Sequence, residues 1–551
     1  MPDDGPAITA TLTQDLARAP VAPTVGADLG HYQVLLDNLK QAVGADNVLT
    51  SDEDRTFFAE DVFRSMETPL AIVRPGAVEE LSHAAAAAFE VGINVVPRGG
   101  GMSYTDGYLH VSKESLCMDM RRMNRVIEIN TEDMYVTVEC GCTWKELDEA
   151  LAPHRVRTPY WGPLSGIKAV VGGALSQNSI FFGAGPHGTA VESVIGLTVV
   201  LADGTVLDTG AHSRKKGVPF MKHYGPDLMG LFLADTGAMG FKAVATFRLV
   251  QRQEHRRFAS FGFDNGEDMV AALSEMSRRG LITESAAFDA GQQSARALDA
   301  KPGLIQDIGT LWKVIKQYGP WTGLKIALAG RHYLKNVFFG LHLLMEDKCS
   351  AGVKHSLKEV RKISASNNGR ELQASLPTII AAVPFAPVNS MLGPSGERWV
   401  PIHGIVSHSQ AIPVLQAIGE IFDRYAGEKE RLGVRNGYLL VSAGTTMFLI
   451  EPVWFYPDKR LNMHEKVLEV EYLSKLKTYD KNDEAAELVL KMRNEIRQVF
   501  LEVGAVHLQI GKYYPYQEGL KDNTRELLAN IKAMVDPKGT MNPGSLGFGI
   551  K

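Results

Sequence analysis

Three consecutive glycines stand in Pro97-Arg98-Gly99-Gly100-Gly101-Met102-Ser103, directly behind the apolar run Asn94-Val95-Val96. Glycine lets a backbone adopt positive φ and approach a ligand closely. Successive inward-turned amides form a concave anion site, suited to a pyrophosphate. Taken by itself, the segment fits a plain tight turn equally well. A rival pattern, Gly183-Ala184-Gly185-Pro186-His187-Gly188, has Asp203 twenty residues beyond Gly183 and so imitates a nucleotide-binding fingerprint. Pro186 falls where that fingerprint's helix should be running, and strand and hairpin signals follow instead. The rival is set aside.

The four cysteines, Cys117, Cys140, Cys142 and Cys349, are too few for a disulfide framework in so long a chain. Cys140 and Cys142 would share one face of a strand, and zinc sites want pairs spaced CxxC. Small buried residues are the plainer reading.

The elements that must position the glycine loop can be read from periodicity. Residues 31–43 place Tyr32, Leu35, Leu36, Leu39 and Val43 on one helical stripe, and 78–91 read as an alanine-rich helix leading into the strand before the loop. From Cys117 to Val250, short alternating runs punctuated by Gly, Asn and Asp predict sheet, with a brief helix at 143–151. Asp203-Gly204 between two apolar runs predicts a hairpin. Beyond Arg252, helices are expected at 269–278, 304–318, 412–426 and 483–503, with strands at 400–406, 438–440 and 447–455. A last helix, 524–535, precedes Asp536-Pro537-Lys538-Gly539-Thr540-Met541-Asn542-Pro543-Gly544. Residues 1–30 read as an extended arm.

At 551 residues, two or three units are expected. Hydrophobic residues at 45% and charged residues at 22% are those of an ordinary globular protein. A net charge of −5 gives no reason to expect nucleic acid as a partner. The acidic start, Met1-Pro2-Asp3-Asp4, is unlike a signal peptide, and no run reaches the ~20 apolar residues of a spanning helix. Residues 319–344 come nearest but contain Lys325, Arg331, His332 and Lys335. A cytoplasmic protein is expected. The 319–344 stretch reads as a dimer face in preference to a membrane-surface patch.

The order of motifs carries more than any one of them. The glycine loop is followed by Met123-Asn124-Arg125-Val126, Gly141-Cys142-Thr143-Trp144-Lys145-Glu146-Leu147 and Gly172-Gly173-Ala174-Leu175-Ser176. Val200-Leu201-Ala202-Asp203-Gly204, Gly225-Pro226-Asp227-Leu228 and the 536–547 tail come next. In order and interval this resembles the vanillyl-alcohol oxidase and p-cresol methylhydroxylase family of FAD enzymes, over about residues 31–250 and 505–551.

The resemblance implies an α+β, two-domain flavoprotein. Residues 31–251 would form the FAD-binding domain, 252–504 an α+β cap built on an antiparallel sheet, and 505–551 a return to the FAD domain. FAD would lie against Pro97, Arg98, Gly99, Gly100, Gly101, Met102 and Ser103. Pro163, Gly166, Gly172, Gly173, Ser176, Gly183, His187, Gly240 and Asn542 complete the expected cofactor set. Some relatives attach the flavin to a histidine. Met102 stands close to one such position, and 446–449, where a cap histidine would fall, has none. Non-covalent FAD is expected.

Oxidising an alcohol requires a group to take the hydroxyl proton and donors or cations to steady the developing charge. Tyr104 falls close to the family's first phenol-binding tyrosine. The family's later Tyr-Arg pair maps to Val506-His507, where neither type is present. Strand-like alternation over 506–512 would put His507 with Gln509 toward the pocket, and His507 is able to act as base or donor. Lys512 and Arg398 are further candidates. A metal-type motif of the D-2-hydroxyacid dehydrogenase branch is poorly matched: Val506 replaces its glutamate, and His403 and His408 are spaced too widely. No metal is expected.

The leading expectation is an FAD-dependent oxidase or dehydrogenase of an aromatic or phenolic alcohol, reoxidised by O₂ or by a protein or quinone acceptor. A D-2-hydroxyacid dehydrogenase, with Lys512 or Arg398 on the carboxylate, is the alternative. A flavin-binding protein without turnover, docking through 321–344, is a third. A homo-oligomer is expected.

Overall fold

The computed structural model describes residues 32–292, 312–318 and 337–549. The arm expected at 1–30 lies outside the described residues, as do 304–311 of the helix expected at 304–318 and 319–336 of the aromatic stretch.

The strand ahead of the glycine loop, Asn94–Arg98, is an outer strand of a four-stranded sheet whose order is Val48–Leu49, Ala71–Val73, Ser115–Asp119, Asn94–Arg98. Ser115–Asp119 runs parallel to both Ala71–Val73 and Asn94–Arg98. Parallel strands require a crossover, and the helix Val78–Val91 supplies it. Its buried Leu81, Ala84, Ala85 and Ala88 recur at helical spacing, and it ends on Gly92 in the left-handed conformation. The small alanine stripe lets helix and sheet approach closely. Helix Gln33–Val43 buries Leu35, Leu36, Leu39 and Val43 in the same core.

A second, antiparallel sheet follows in the order Val126–Asn130, Tyr135–Glu139, Phe241–Arg248, Val194–Val200, Val206–Asp208. The expected hairpin joins the last two, with Gly204 at φ 87° and Asp203 Oδ1 accepting from the Thr205 N–H at 2.9 Å. Thr143 and Glu146 form a reciprocal cap on helix Trp144–Leu151. None of the four cysteines forms a disulfide, and only Cys349 is exposed.

Beyond residue 252 an eight-stranded antiparallel sheet forms the second unit. Helices Gly266–Arg278, Ser350–Ser366, Ala411–Arg424 and Asp483–Glu502 share one apolar core with it. Three expectations need correction. The single strand expected at 400–406 is two, Arg398–Pro401 and Gly404–Val406, both on Met447–Tyr456. Residues 339–344 belong to Phe339–Asp347, an interior strand between His255–Phe263 and Glu284–Asp289, so they present no docking face. Residues 506–512 do not alternate: Val506 alone bridges Ile405, and Gln509 (φ 45°) and Gly511 (φ 62°) turn left-handed. No helix among the described residues is long and apolar enough to cross a membrane.

The carboxyl-terminal tail then adds itself to the first sheet. The Val95 N–H donates to Thr540 O at 2.9 Å, and the Asn542 N–H donates to Val95 O at 2.8 Å. Buried Asp536 shapes the turn that allows this, accepting from the N–H groups of Thr540 and Met541 and from Lys532 Nζ at 2.6 Å. Removing one partner of a buried ion pair costs roughly 3–5 kcal/mol. Asp536→Ala should therefore lower stability by about 3 kcal/mol, read from the urea midpoint; an unchanged midpoint would contradict this anchoring.

Candidate functional site

A cavity of about 680 Å³ runs from the glycine loop to the sheet of the second unit. That lies within the roughly 300–1,000 Å³ of typical ligand sites. The whole run from Pro97 to Ser103 lines it, together with Pro163, Gly172, Gly173, Ser176, Gly240, Tyr104 and Gln509.

The glycines are dictated by a second backbone as much as by a ligand. A Cβ on Gly100 would sit 1.9 Å from Lys168 O, one on Gly99 would sit 2.4 Å from Val170 Cγ2, and Gly101 has φ 70°. The glycine loop and residues 168–170 thus meet backbone to backbone and form one wall. Arg98 lines the cavity but is spent structurally. Its Nη1 donates to Phe58 O at 2.8 Å, and its guanidinium lies over the rings of Phe57, Phe58 and Tyr108. Lys242, the other cation in the wall, donates to Asp235 at 2.6 Å.

Asn542 braces the wall from behind, donating from Nδ2 to Gly107 O at 2.9 Å and Thr236 O at 2.7 Å. Lys512 Nζ donates to Asn542 Oδ1 at 2.7 Å and Gly107 O at 3.2 Å, and burial pushes its ammonium down to about 7. Neither lines the cavity. Gly166 also stands behind the wall, packed against the Phe385 ring. Gly183 lies elsewhere, its N–H donating to Glu284 in the second unit at 2.6 Å. His187 ends the single-turn helix Ala184–His187, its imidazolium disfavoured by burial to about 4. These four expected cofactor residues, Gly166, Gly183, His187 and Asn542, are absent from the cavity wall.

The far end of the cavity holds the reactive side chains. Tyr104 donates its hydroxyl to Glu451 Oε2 at 3.0 Å. Burial, then the Glu451 carboxylate, raise the phenol far above its ordinary range, so it stays protonated. His403 Nε2 donates to Leu508 O at 2.6 Å, which leaves Nδ1 as the lone-pair nitrogen. That Nδ1 lies 4.0 Å from Glu451 Oε2. Burial holds the ring neutral, down to about 3. Trp399, Leu439, Val441, Leu449 and Ile379 supply apolar wall. Glu451 is the only acidic side chain in the lining, and no cation lines this end among the described residues.

His507 does not face the cavity. It stacks on Tyr514 at 3.7 Å between ring centroids, and its Nδ1 bonds His403 O at 2.8 Å. The left-handed turn at Gln509 brings Leu508 and Gln509 to the wall together, which strand alternation could not anticipate. Arg398 is buried away from the cavity against Phe63 O, Lys459 O and Asp458. Sequence reasoning missed Glu451 altogether and weighed His403 only as a metal ligand. The available signal was a single acid inside the apolar run Met447-Phe448-Leu449-Ile450-Glu451-Pro452-Val453-Trp454. His408 is a plain loop histidine, bonded through Nε2 to Thr445 O at 3.1 Å. Among the described residues no group of three or more His, Cys, Asp or Glu is placed to hold a metal.

Residues 69–210 match the FAD binding domain family. An uncharacterized FAD-linked oxidoreductase of Escherichia coli K12, YgcU, is 31% identical over 224 residues, covering 39% of this chain and 45% of that protein. A mitochondrial cytochrome D-lactate dehydrogenase of Arabidopsis thaliana is 31% identical over 248 residues, 44% and 42% of the two chains. The matched stretch thus spans less than half the length of these relatives. Substrate-bound p-cresol methylhydroxylase superposes with a TM-score of 0.71 at 17% identity, covering 95% of this chain and 98% of that one. The 4-ethylphenol oxidase of Gulosibacter chungangensis, in its isoeugenol complex, gives 0.67 at 17%, with 96% and 99% covered.

The chain has the two-domain fold of the p-cresol methylhydroxylase-type flavoproteins. The match of residues 69–210 to the FAD binding domain family identifies its cofactor as FAD. The cavity suits that group: its walls meet at glycine-rich backbone, and the buried side-chain amide oxygens of Gln177 and Gln509 have no protein partner. Gly100→Ala should force the two backbones apart and weaken FAD binding at least ~tenfold, about 1.4 kcal/mol, so that the purified variant carries less flavin absorbance per chain than the wild type. Full flavin content would rule out the close approach as the reason for the glycine.

Proposed function

We propose that this protein is an FAD-dependent oxidoreductase that oxidises the CH–OH group of a neutral aromatic alcohol, with FAD held non-covalently. Residues 31–251 and 505–551 serve as the cofactor unit and 252–504 as the cap. One observation carries the substrate reading: the cap end of the cavity is apolar and contains a hydrogen-bonded tyrosine and carboxylate but, among the described residues, no cation. An aromatic ring fits Trp399, Leu439, Val441 and Leu449, whereas a substrate carboxylate would be brought against a like-charged Glu451 side chain.

Bound FAD supplies the two-electron acceptor. The protein's own contribution is proton handling and orientation. The Tyr104 hydroxyl, kept protonated and donating to Glu451, accepts the substrate hydroxyl's hydrogen bond and fixes its position. Glu451 takes the hydroxyl proton, directly or through Tyr104, as the C–H bond breaks. Neutral His403 presents its Nδ1 lone pair beside that carboxylate and accepts the proton's hydrogen bond when Glu451 is protonated. His507 is a positioning residue, holding the backbone at His403 rather than touching substrate.

The alternative of a D-2-hydroxyacid dehydrogenase finds little support in the cap, since Lys512 and Arg398 are already committed to protein oxygens. The electron acceptor would be O₂ or a protein or quinone carrier. Aryl alcohols should bleach the flavin anaerobically while lactate and glycolate leave it yellow. Glu451→Gln should slow bleaching by ~10²–10⁴-fold with flavin content unchanged. Bleaching by lactate alone, or an unaffected Glu451→Gln rate, would overturn the assignment.

Met102 in the loop cannot form a flavin bond, Tyr104 is tied to Glu451, and burial pushes the Cys140 thiol in the wall up to about 12. Precipitation with trichloroacetic acid should therefore leave the yellow colour in the supernatant. Colour retained by the washed pellet would show a covalent bond.

A further inference from the structure

Away from the cavity, the hairpin strand Val206–Asp208 leads into a loop of unusual surface chemistry, residues 210–228. Phe220 is 59% exposed, Met221 50% and Tyr224 61%, with Val218 and Leu228 nearly as open. Single exposed apolar side chains are ordinary, but contiguous ones mark an interaction surface. Four cations, Arg214, Lys215, Lys216 and Lys222, are interleaved with them against one acid, Asp227. The chain as a whole carries −5, so this loop is a basic patch on an acidic protein.

The loop is built rather than loose. The Ala211 N–H donates to Met221 O at 2.9 Å and closes it, Ser213 Oγ donates to Gly210 O at 2.8 Å, and the Arg214 guanidinium stacks over Tyr224 at 5.2 Å. Its two ends are rooted in the core, through the Thr209 N–H to Leu197 O at 2.9 Å and through buried Met229 and Phe232. The exposed side chains are therefore held out on a fixed base.

We propose that this loop seats the protein on a bilayer containing anionic phospholipid, with Phe220, Met221 and Tyr224 entering the headgroup boundary and Arg214, Lys215 and Lys216 holding phosphate groups, while Lys222 pairs with Asp227 at 3.7 Å. Interleaved cations and apolar side chains are the chemistry of interfacial anchoring, where each nearby Lys or Arg strengthens binding about fivefold. A single-stranded nucleic acid would need cations tracking along a groove, and here all four stand within residues 214–222 of one loop. An acidic protein would need a pocket for three separate apolar side chains.

The test uses the yellow holoprotein and flotation with vesicles of phosphatidylcholine alone or mixed with phosphatidylglycerol. Binding is expected to the mixed vesicles only, falling steeply with salt. Lys215→Glu with Lys216→Glu should weaken it by at least ~25-fold, from two cations at about fivefold each. Phe220→Ser with Tyr224→Ser should weaken it at low salt too, which a purely electrostatic contact would not show. Flavin absorbance checks that every variant is folded. The proposal is overturned if the wild type floats with neither vesicle, if both double variants float as well as wild type, or if only the charge variant matters. The last outcome would mean a general polyanion contact, such as nucleic acid or an acidic protein.

Discussion

Everything at the site hangs on one backbone ladder: the two hydrogen bonds by which residues 540–542 pair with Val95. Asn94–Arg98 would otherwise present its outer edge unpaired, directly before the segment that must hold the cofactor. The tail closes that edge and sets Asn542 where its side chain reaches Gly107 O, Thr236 O and Lys512 Nζ together. Three segments far apart in sequence are thereby held at one amide. The wall is rigid because its backing is fully bonded, and a glycine loop without such backing would be a hinge.

The same economy governs the charges. Arg98, Arg398, Lys242 and Lys512 are all buried near the cavity, and each is bonded to protein carbonyls or side-chain oxygens. A buried cation without partners is costly, so the fold uses these to tie loops together and leaves few for a ligand. At the cap end of the cavity the charged group in the lining is an acid, Glu451. The electrostatic character of the substrate end thus follows from which charges the scaffold has already consumed.

That division also marks what the sequence made legible. The glycine loop, the crossover helix Val78–Val91 and the Asp203-Gly204 hairpin are local: their signals are a backbone requirement, a 3.6-residue stripe and a turn type. Each of these appears where the residues predict. Glu451 was invisible for the opposite reason. A strand of the eight-stranded sheet brings it beside Tyr104, 347 positions away in sequence, and no periodicity encodes that meeting. The misplacement of His507 has a sharper cause. Alternation presumes extended backbone, and the left-handed turns at Gln509 and Gly511 invert which side chains share a face.

Those turns also explain how the late segment governs chemistry without entering it. By reversing the chain, they bring Leu508 O to His403 Nε2 and fix which nitrogen of that ring carries hydrogen. Tyr514 contributes no less usefully, since its hydroxyl oxygen accepts from the His403 backbone N–H at 2.8 Å while its ring stacks on His507. His507 in turn holds His403 O. Backbone and ring of one residue are therefore clamped from three sides, and the free lone pair is left toward Glu451. A histidine so held cannot exchange tautomers to suit a passing ligand, so the hydrogen bond available to a protonated Glu451 has one direction only.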